Sequence, residues 1–172
     1  PYPEGKAVTI KGPMMAAPDN IRIKLIGKGG HASMPNELID PVVMASEVIL
    51  SLQTIVSRKI NPIDPIVISC CTIHGGSAQN VIPNEVEITG TVRTLSEEVR
   101  SQVPALMEQT IKGIADIYNG SYEFDYHLGY PCLINDDKST EVFMNSAGKI
   151  LGNENIDTMK KPVMGGEDFA YF

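Results

Sequence analysis

A chain of 172 residues and 18.7 kDa suits one or two domains, and with 42% hydrophobic and 20% charged residues it can bury a core rather than stay disordered. Its formal net charge of −7 excludes a broad basic footprint for nucleic acid, and no apolar run reaches the roughly 20 residues that a membrane helix needs. Three cysteines, two of them adjacent (Cys70 and Cys71) and the third Cys132, do not make a disulfide framework, so a reducing cytoplasmic location is expected.

Residues 1–19 hold four prolines, two glycines and a methionine pair, and read as an extended lead-in segment or linker. From residue 20 the chain alternates, with Ile21, Ile23 and Leu25 apolar and Arg22 and Lys24 between them, the pattern of a half-buried strand. A glycine-rich turn, Gly27-Lys28-Gly29-Gly30-His31, follows. Asp40-Pro41 starts a helix, with Asp as N-cap and Pro at the first helical position. Its expected inner face is Val42, Ala45, Ser46, Ile49, Leu52, Gln53 and Val56, and Arg58 and Lys59 suit its C-terminal dipole. Ile66 to Ile73 is nearly all apolar and predicts a strand covered on both faces. Gly75-Gly76-Ser77 is a loop. Glu85 to Thr94 alternates strictly, with Val86, Ile88, Gly90 and Val92 on one side, and is the clearest strand in the chain.

Ser96 followed by Glu97 and Glu98 signals a second helix, continued by Val99, Val103, Leu106, Met107, Thr110, Ile114 and Ile117. Pro104 inside that pattern predicts a kink or a delayed start. Asn119-Gly120 stops it, and Tyr122, Phe124, Tyr126 and Leu128 alternate as a fourth strand. The order over residues 20–130 is β-α-β-β-α-β, the ferredoxin-like order. The expected fold is α+β: one four-stranded antiparallel sheet with two helices on one face, and the other face solvated or covered by a partner. Residues 131–137 read as a linker, and Ser139 to Leu151 as a short helix with Phe143, Ala147, Ile150 and Leu151 on one face. A helix and a glycine loop cannot bury themselves alone, so residues 131–172 are expected to belong to another domain. The start at Pro1 and the stop at Phe172, straight after a Gly-Gly-Glu-Asp-Phe cluster, read as a piece of something longer.

The residues that could carry chemistry are few. His31, His74 and His127 show no metal-ligand spacing, and there is no nucleophile elbow, phosphate loop or dinucleotide fingerprint. His31 is the sharpest candidate, because glycines before it let the imidazole project from a turn, although a solvated loop histidine would look the same. Asn80, in Gln-Asn-Val-Ile-Pro, either reads a substrate group or caps its turn. Arg93, on the polar side of the clearest strand, either holds a carboxylate or pairs with a cross-strand acid. Glu167-Asp168, after Gly165 and Gly166, is either a carboxylate pair at an active-site loop or an ordinary helix cap.

Six segments occur in a fixed order: Gly27-Lys28-Gly29-Gly30-His31-Ala32-Ser33-Met34-Pro35, Asp40-Pro41, Leu52 to Arg58, Gly75-Gly76-Ser77-Ala78-Gln79-Asn80-Val81-Ile82-Pro83, Gly90-Thr91-Val92-Arg93-Thr94, and Met164-Gly165-Gly166-Glu167-Asp168-Phe169. With these the chain resembles the aminoacylase and carboxypeptidase-type metallohydrolases. The likeness is to the amidohydrolase branch, which holds hippurate hydrolases, N-acyl-L-amino acid amidohydrolases and auxin-conjugate hydrolases. It runs over essentially the whole chain.

The resemblance implies a two-domain enzyme that cleaves the amide bond of N-acyl amino acids with two divalent metal ions (Zn, Mn, Ni or Co). It implies a linker from the catalytic domain at 1–19, a lid and dimerisation domain at 20–130, and a partial return into the α/β catalytic domain at 131–172. The family's metal-ligand motifs fall outside this sequence, so no metal site is expected here and this stretch is expected to be inactive alone. By resemblance, His31 is catalytic and donates to the substrate carbonyl oxygen of a neighbouring subunit. Asn80 and Arg93 hold the substrate carboxylate end, and Gly165, Gly166 and Glu167 line the pocket. A homodimer through the lid and a small N-acyl amino acid are the expected partners. A dipeptidase of the same superfamily, or a non-enzymatic ferredoxin-like dimerisation or ligand-binding module, are the alternatives.

Overall fold

A computed structural model describes residues 2–172, which leaves Pro1 of the expected 1–19 linker outside the described residues. Ten strands and three α-helices follow one another: β1 (Ala7–Thr9), β2 (Gly12–Met15), β3 (Ala17–Ile26), β4 (Gly30–His31), α1 (Pro41–Arg58), β5 (Ile66–Gly75), β6 (Val81–Ile82), β7 (Glu85–Thr94), α2 (Glu97–Ile117), β8 (Ser121–His127), β9 (Leu133–Asn135), α3 (Asp137–Leu151) and β10 (Ile156–Thr158). The central sheet has the order β5-β7-β3-β8, and every neighbouring pair in it is antiparallel. Together with α1 and α2 this is the expected ferredoxin-like α+β arrangement.

The alternation of β3 and β7 decides which face is buried. Ile21, Ile23 and Leu25 of β3 and Val86, Ile88 and Val92 of β7 point to one side and are almost wholly buried. They form a single apolar cluster with Met44, Val48, Leu52 and Ile55 of α1 and Val103, Met107 and Ile111 of α2. Each such side chain contributes roughly 1.5–3 kcal/mol of transfer free energy, so this cluster is the main source of stability. The opposite face is polar. Arg22 bridges Glu87 at 2.7 Å and Asp125 at 3.1 Å, and Lys24 bridges Glu85 at 3.3 Å. These cross-strand pairs satisfy the sheet's outer surface while leaving it hydrated.

Local chemistry sets the helix ends. The Asp40 carboxylate accepts from the Val42 N–H at 2.8 Å, and the Ser96 hydroxyl accepts from the Val99 N–H at 3.4 Å. α2 begins directly after Ser96 and continues through Pro104, so the expected delayed start does not occur. The buried stripe of α1 is Pro41, Met44, Ala45, Val48, Leu52 and Ile55. The expected stripe was turned by about one position, because Val42 and Val43 are both exposed and apolar residues on two sides of a helix make the periodicity ambiguous.

Two further expectations are corrected. β5 is not covered on both faces: it is an edge strand, with Ile66 and Ile68 buried, Val67 36% exposed and Ile73 57% exposed. The sheet order, and not the composition, makes this segment an edge. Residues 1–19 and 131–137 also differ from plain linkers. β1 pairs in parallel with β10, and β2 pairs antiparallel with β9, so the lead-in segment and the tail hold each other. α3 packs beside β1 and β10 with Thr140 and Gly148 buried, while Val142, Phe143 and Ile150 stay exposed. Its expected apolar face therefore lacks a cover within the described residues.

Candidate functional site

The His31 hairpin is built from two short strands at the Glu85 end of the sheet. β4 pairs with β6 so that Gly30 faces Ile82 and His31 faces Val81. On its other side the hairpin is held by Lys28 and Ile39, whose N–H groups donate to each other's carbonyls at 2.9 and 3.0 Å. Gly29 is required by close approach: a Cβ there would lie 2.4 Å from the Ile82 carbonyl oxygen. The Gly29 N–H donates to the Asn84 side-chain oxygen at 2.9 Å, and the Gly27 N–H donates to the Asn84 carbonyl at 2.8 Å.

His31 is exposed on this frame. Its Nδ1 receives the Ser33 N–H at 3.2 Å and lies 2.7 Å from the Ser33 hydroxyl. Asn80 stands next to it in space, since the Ala32 N–H donates to the Asn80 carbonyl at 3.0 Å. The Asn80 side chain is exposed and makes no hydrogen bond among the described residues, whereas the amide that fastens the turn belongs to Asn84. Asn80 is the cap that the motif offers, but Asn84, straight after Pro83 and before a strand, carries the same signal and is the residue that fastens the turn. A concavity of about 890 Å³ adjoins the hairpin and is lined by Gly29, Gly30, His74, Ser77 and Asn84 among others.

Arg93 lies elsewhere. It sits eight positions further along β7 than Glu85, about 27 Å at the rise of an antiparallel strand. Its register partners are Pro18 in β3 and Val67 in β5. It makes no salt bridge among the described residues, so the cross-strand ion pair considered for it is absent there. The tail loop reaches this same end. The Gly165 carbonyl accepts from the Ala16 N–H at 2.9 Å, and a Cβ on Gly166 would come within 2.5 Å of the Pro18 ring. Glu167 caps the terminal turn Asp168–Tyr171, its Oε1 accepting from the Phe169 N–H at 3.3 Å, as the helix-cap alternative expects.

A buried polar cluster stiffens the Arg93 end. Asp19 is fully buried and accepts from Arg100 Nη2 at 2.6 Å and Nε at 3.0 Å, from the Tyr126 hydroxyl at 2.9 Å and from the Gly129 N–H at 2.9 Å. The Asp19 hydrogen bond raises the Arg100 guanidinium further above its ordinary value. Burial, and then the Asp19 charge, push the Tyr126 phenol far above the tyrosine range. Burial likewise raises the thiols of Cys70 and Cys132, so neither is a thiolate nucleophile at neutral pH.

The candidate residues thus form two groups. His31 and Asn80 share one end of the sheet, and Arg93, Gly165 and Gly166 share the other. Among the described residues no three of His, Cys, Asp or Glu converge as metal ligands. The residues present do not fit the pair of metal ions that the resemblance implies, and no helix is long and apolar enough to cross a membrane.

Comparison with known proteins agrees with this architecture. A family described as the peptidase dimerisation domain, M20, matches residues 19–119. The N-acyl-L-amino acid amidohydrolase of Geobacillus stearothermophilus is 47% identical over 138 residues, covering 80% of this chain and 37% of that protein. Thermostable carboxypeptidase 2 of Saccharolobus solfataricus is 39% identical over 172 residues, covering 99% of this chain and 43% of that one. The crystal structure of Bacillus subtilis YXEP, described as a dinuclear metal binding peptidase from the M20 family, superposes with a TM-score of 0.76 at 30% identity, over 99% of this chain and 42% of its own. The chain therefore spans about two fifths of the length of the relatives it matches.

Proposed function

The chain belongs to the M20 peptidase family through its dimerisation domain, and on that premise we propose that it is the lid and dimer-contact portion of a metal-dependent amidohydrolase acting on N-acyl amino acids. The 47% identity to an N-acyl-L-amino acid amidohydrolase supports the substrate class. The metal ions would be held by parts of the longer enzyme outside this sequence. Three free thiols suit a reducing, cytoplasmic setting.

The observation that carries the reading is the separation of the two residue groups, at opposite ends of the central sheet. Eight strand positions, about 27 Å, part Arg93 from the Glu85 end where the His31 hairpin joins the sheet, so one small substrate would not span both groups of a single copy. Two copies can bring the groups together, if the His31 end of one meets the Arg93 end of the other. His31 then donates an N–H to the carbonyl oxygen of the scissile amide, where negative charge grows as the carbon becomes tetrahedral. Arg93 takes the substrate carboxylate through its planar fork, with the Asn80 amide as an additional donor. The Gly165–Gly166 backbone lines the pocket next to Arg93, and Glu167 holds that loop by capping its turn.

The test uses the longer enzyme with added divalent metal and N-acetyl- and N-benzoyl-amino acids. His31→Ala is expected to lower kcat by roughly 10²–10³, the cost of one oxyanion donor, with the dimer intact by sedimentation. Turnover that survives His31→Ala removes that role. The likeness to thermostable carboxypeptidase 2 favours one second reading, a peptidase acting at a peptide's carboxyl end. Cleavage of peptides without cleavage of acylated amino acids would select it.

A further inference from the structure

The Ser33 contacts have a chemical consequence for His31. The hairpin closes with a turn in which the Met34 N–H donates to the His31 carbonyl at 3.0 Å. That turn folds Ser33 back onto the ring, with its N–H 3.2 Å and its hydroxyl oxygen 2.7 Å from Nδ1. A backbone N–H only donates, so Nδ1 is the accepting nitrogen, and a neutral imidazole then carries its proton on Nε2. The other tautomer would present a lone pair at Nε2 and repel an oxygen gaining negative charge.

We propose that Ser33 is a positioning residue that fixes His31 as the Nε2–H tautomer and holds its ring orientation, so that Nε2–H is the single donor offered outward. The proposal rests on the reading of His31 as donor to the substrate carbonyl. It deepens that reading by naming the atom that donates and the residue that selects it. Two donors share the one in-plane lone pair of Nδ1. Substitution of the side chain removes only the hydroxyl and leaves the N–H in place.

The direct test is the two-bond proton–nitrogen correlation of the His31 ring, recorded at about pH 8.5, above the ordinary imidazole pKa of about 6.5. His31→Gln identifies its signals among the three histidines. The expected result is an unprotonated-type Nδ1 and a protonated-type Nε2 without averaging. In Ser33→Ala the two signals should move toward each other, and in Ser33→Thr they should return. In the longer enzyme Ser33→Ala should lower kcat about fivefold, the size of one hydrogen bond, with KM nearly unchanged, and Ser33→Thr should restore it. Averaged nitrogen signals in the unsubstituted chain, or identical signals in Ser33→Ala, would overturn the proposal. If His31→Ala leaves turnover intact, the donor role falls, while the nitrogen signals still decide what Ser33 does to the ring.

Discussion

Replacing Arg100 with methionine should be among the most damaging single substitutions in the domain. Asp19 has no solvent contact, and the Arg100 side chain is 7% exposed. Arginine supplies two of the four hydrogen bonds to that carboxylate and all of its countercharge. Methionine keeps the aliphatic volume and removes both, leaving a buried anion with only the Tyr126 hydroxyl and the Gly129 N–H. Breaking a buried pair in this way costs about 3–5 kcal/mol. With a urea m-value of about 2 kcal/mol/M, the midpoint should fall by roughly 2 M at unchanged slope. The double variant Asp19→Leu/Arg100→Met removes the stranded charge and should recover part of the loss. A remaining deficit of about 1–3 kcal/mol would come from the orphaned Tyr126 and Gly129 donors. A loss below about 1 kcal/mol in Arg100→Met, or a double variant no better than the single, would refute the account of the cluster as a charge pair held by burial.

Two more outcomes follow from the same geometry. Gly29→Ala drives a Cβ against the Ile82 carbonyl; it should unpair β4 from β6 and speed amide exchange at Ala32, whose N–H meets the Asn80 carbonyl, while the Arg93 end of the sheet keeps its protection. Equal protection at Ala32 would mean that the hairpin yields without cost. The second concerns alkaline pH. Because burial raises the Tyr126 phenol in the fold, its contribution is fully present below the unfolded value of about 10 and is lost as pH rises above it, since only the unfolded chain ionises there. Urea unfolding at rising pH should therefore show a steeper fall for the unsubstituted chain than for Tyr126→Phe, and parallel slopes would contradict the assignment.

Much of the central domain is legible in the sequence because its signals are local. The strict alternation of Glu85 to Thr94 gives a strand with the observed bounds, and the Asp40-Pro41 cap gives a helix with the observed start. Less legible is anything set by distant partners. Ile66 to Ile73 has the composition of a central strand, and only the sheet order makes it an edge. The pairing of Ala7–Thr9 with Ile156–Thr158 joins segments about 150 residues apart, and three-residue strands leave no periodicity to read. At the candidate site the motifs single out His31, Asn80 and Arg93, but a motif does not say at which end of a strand it stands. That Arg93 stands at the far end of β7 from the His31 hairpin follows from where the Gly27–Asn84 hydrogen bond ties the hairpin to the sheet, which no motif states.

On the proposed dimer, β5, one of the two edge strands of the sheet, would let a second copy unite the two ends. β5 carries unpaired backbone groups along its free side, which invites strand addition. Its neighbour in the fold, α1, exposes Val42, and Val42, Ser46 and Ile49 border a shallow depression shared with Ile73 and Gly75. The charged face with Arg22, Lys24 and Glu87 is a poor apolar contact by comparison. In a symmetric dimer through β5, the two copies of the strand run antiparallel about the two-fold axis. The Gly75 end of β5 lies opposite Val86, at the His31 end of the sheet, and its Val67 end lies opposite Arg93. Antiparallel juxtaposition sets the first end of one copy against the second end of the other. The same axis that covers the exposed edge would therefore bring the donor group of one subunit toward the carboxylate-binding group of its partner, as the proposed chemistry requires.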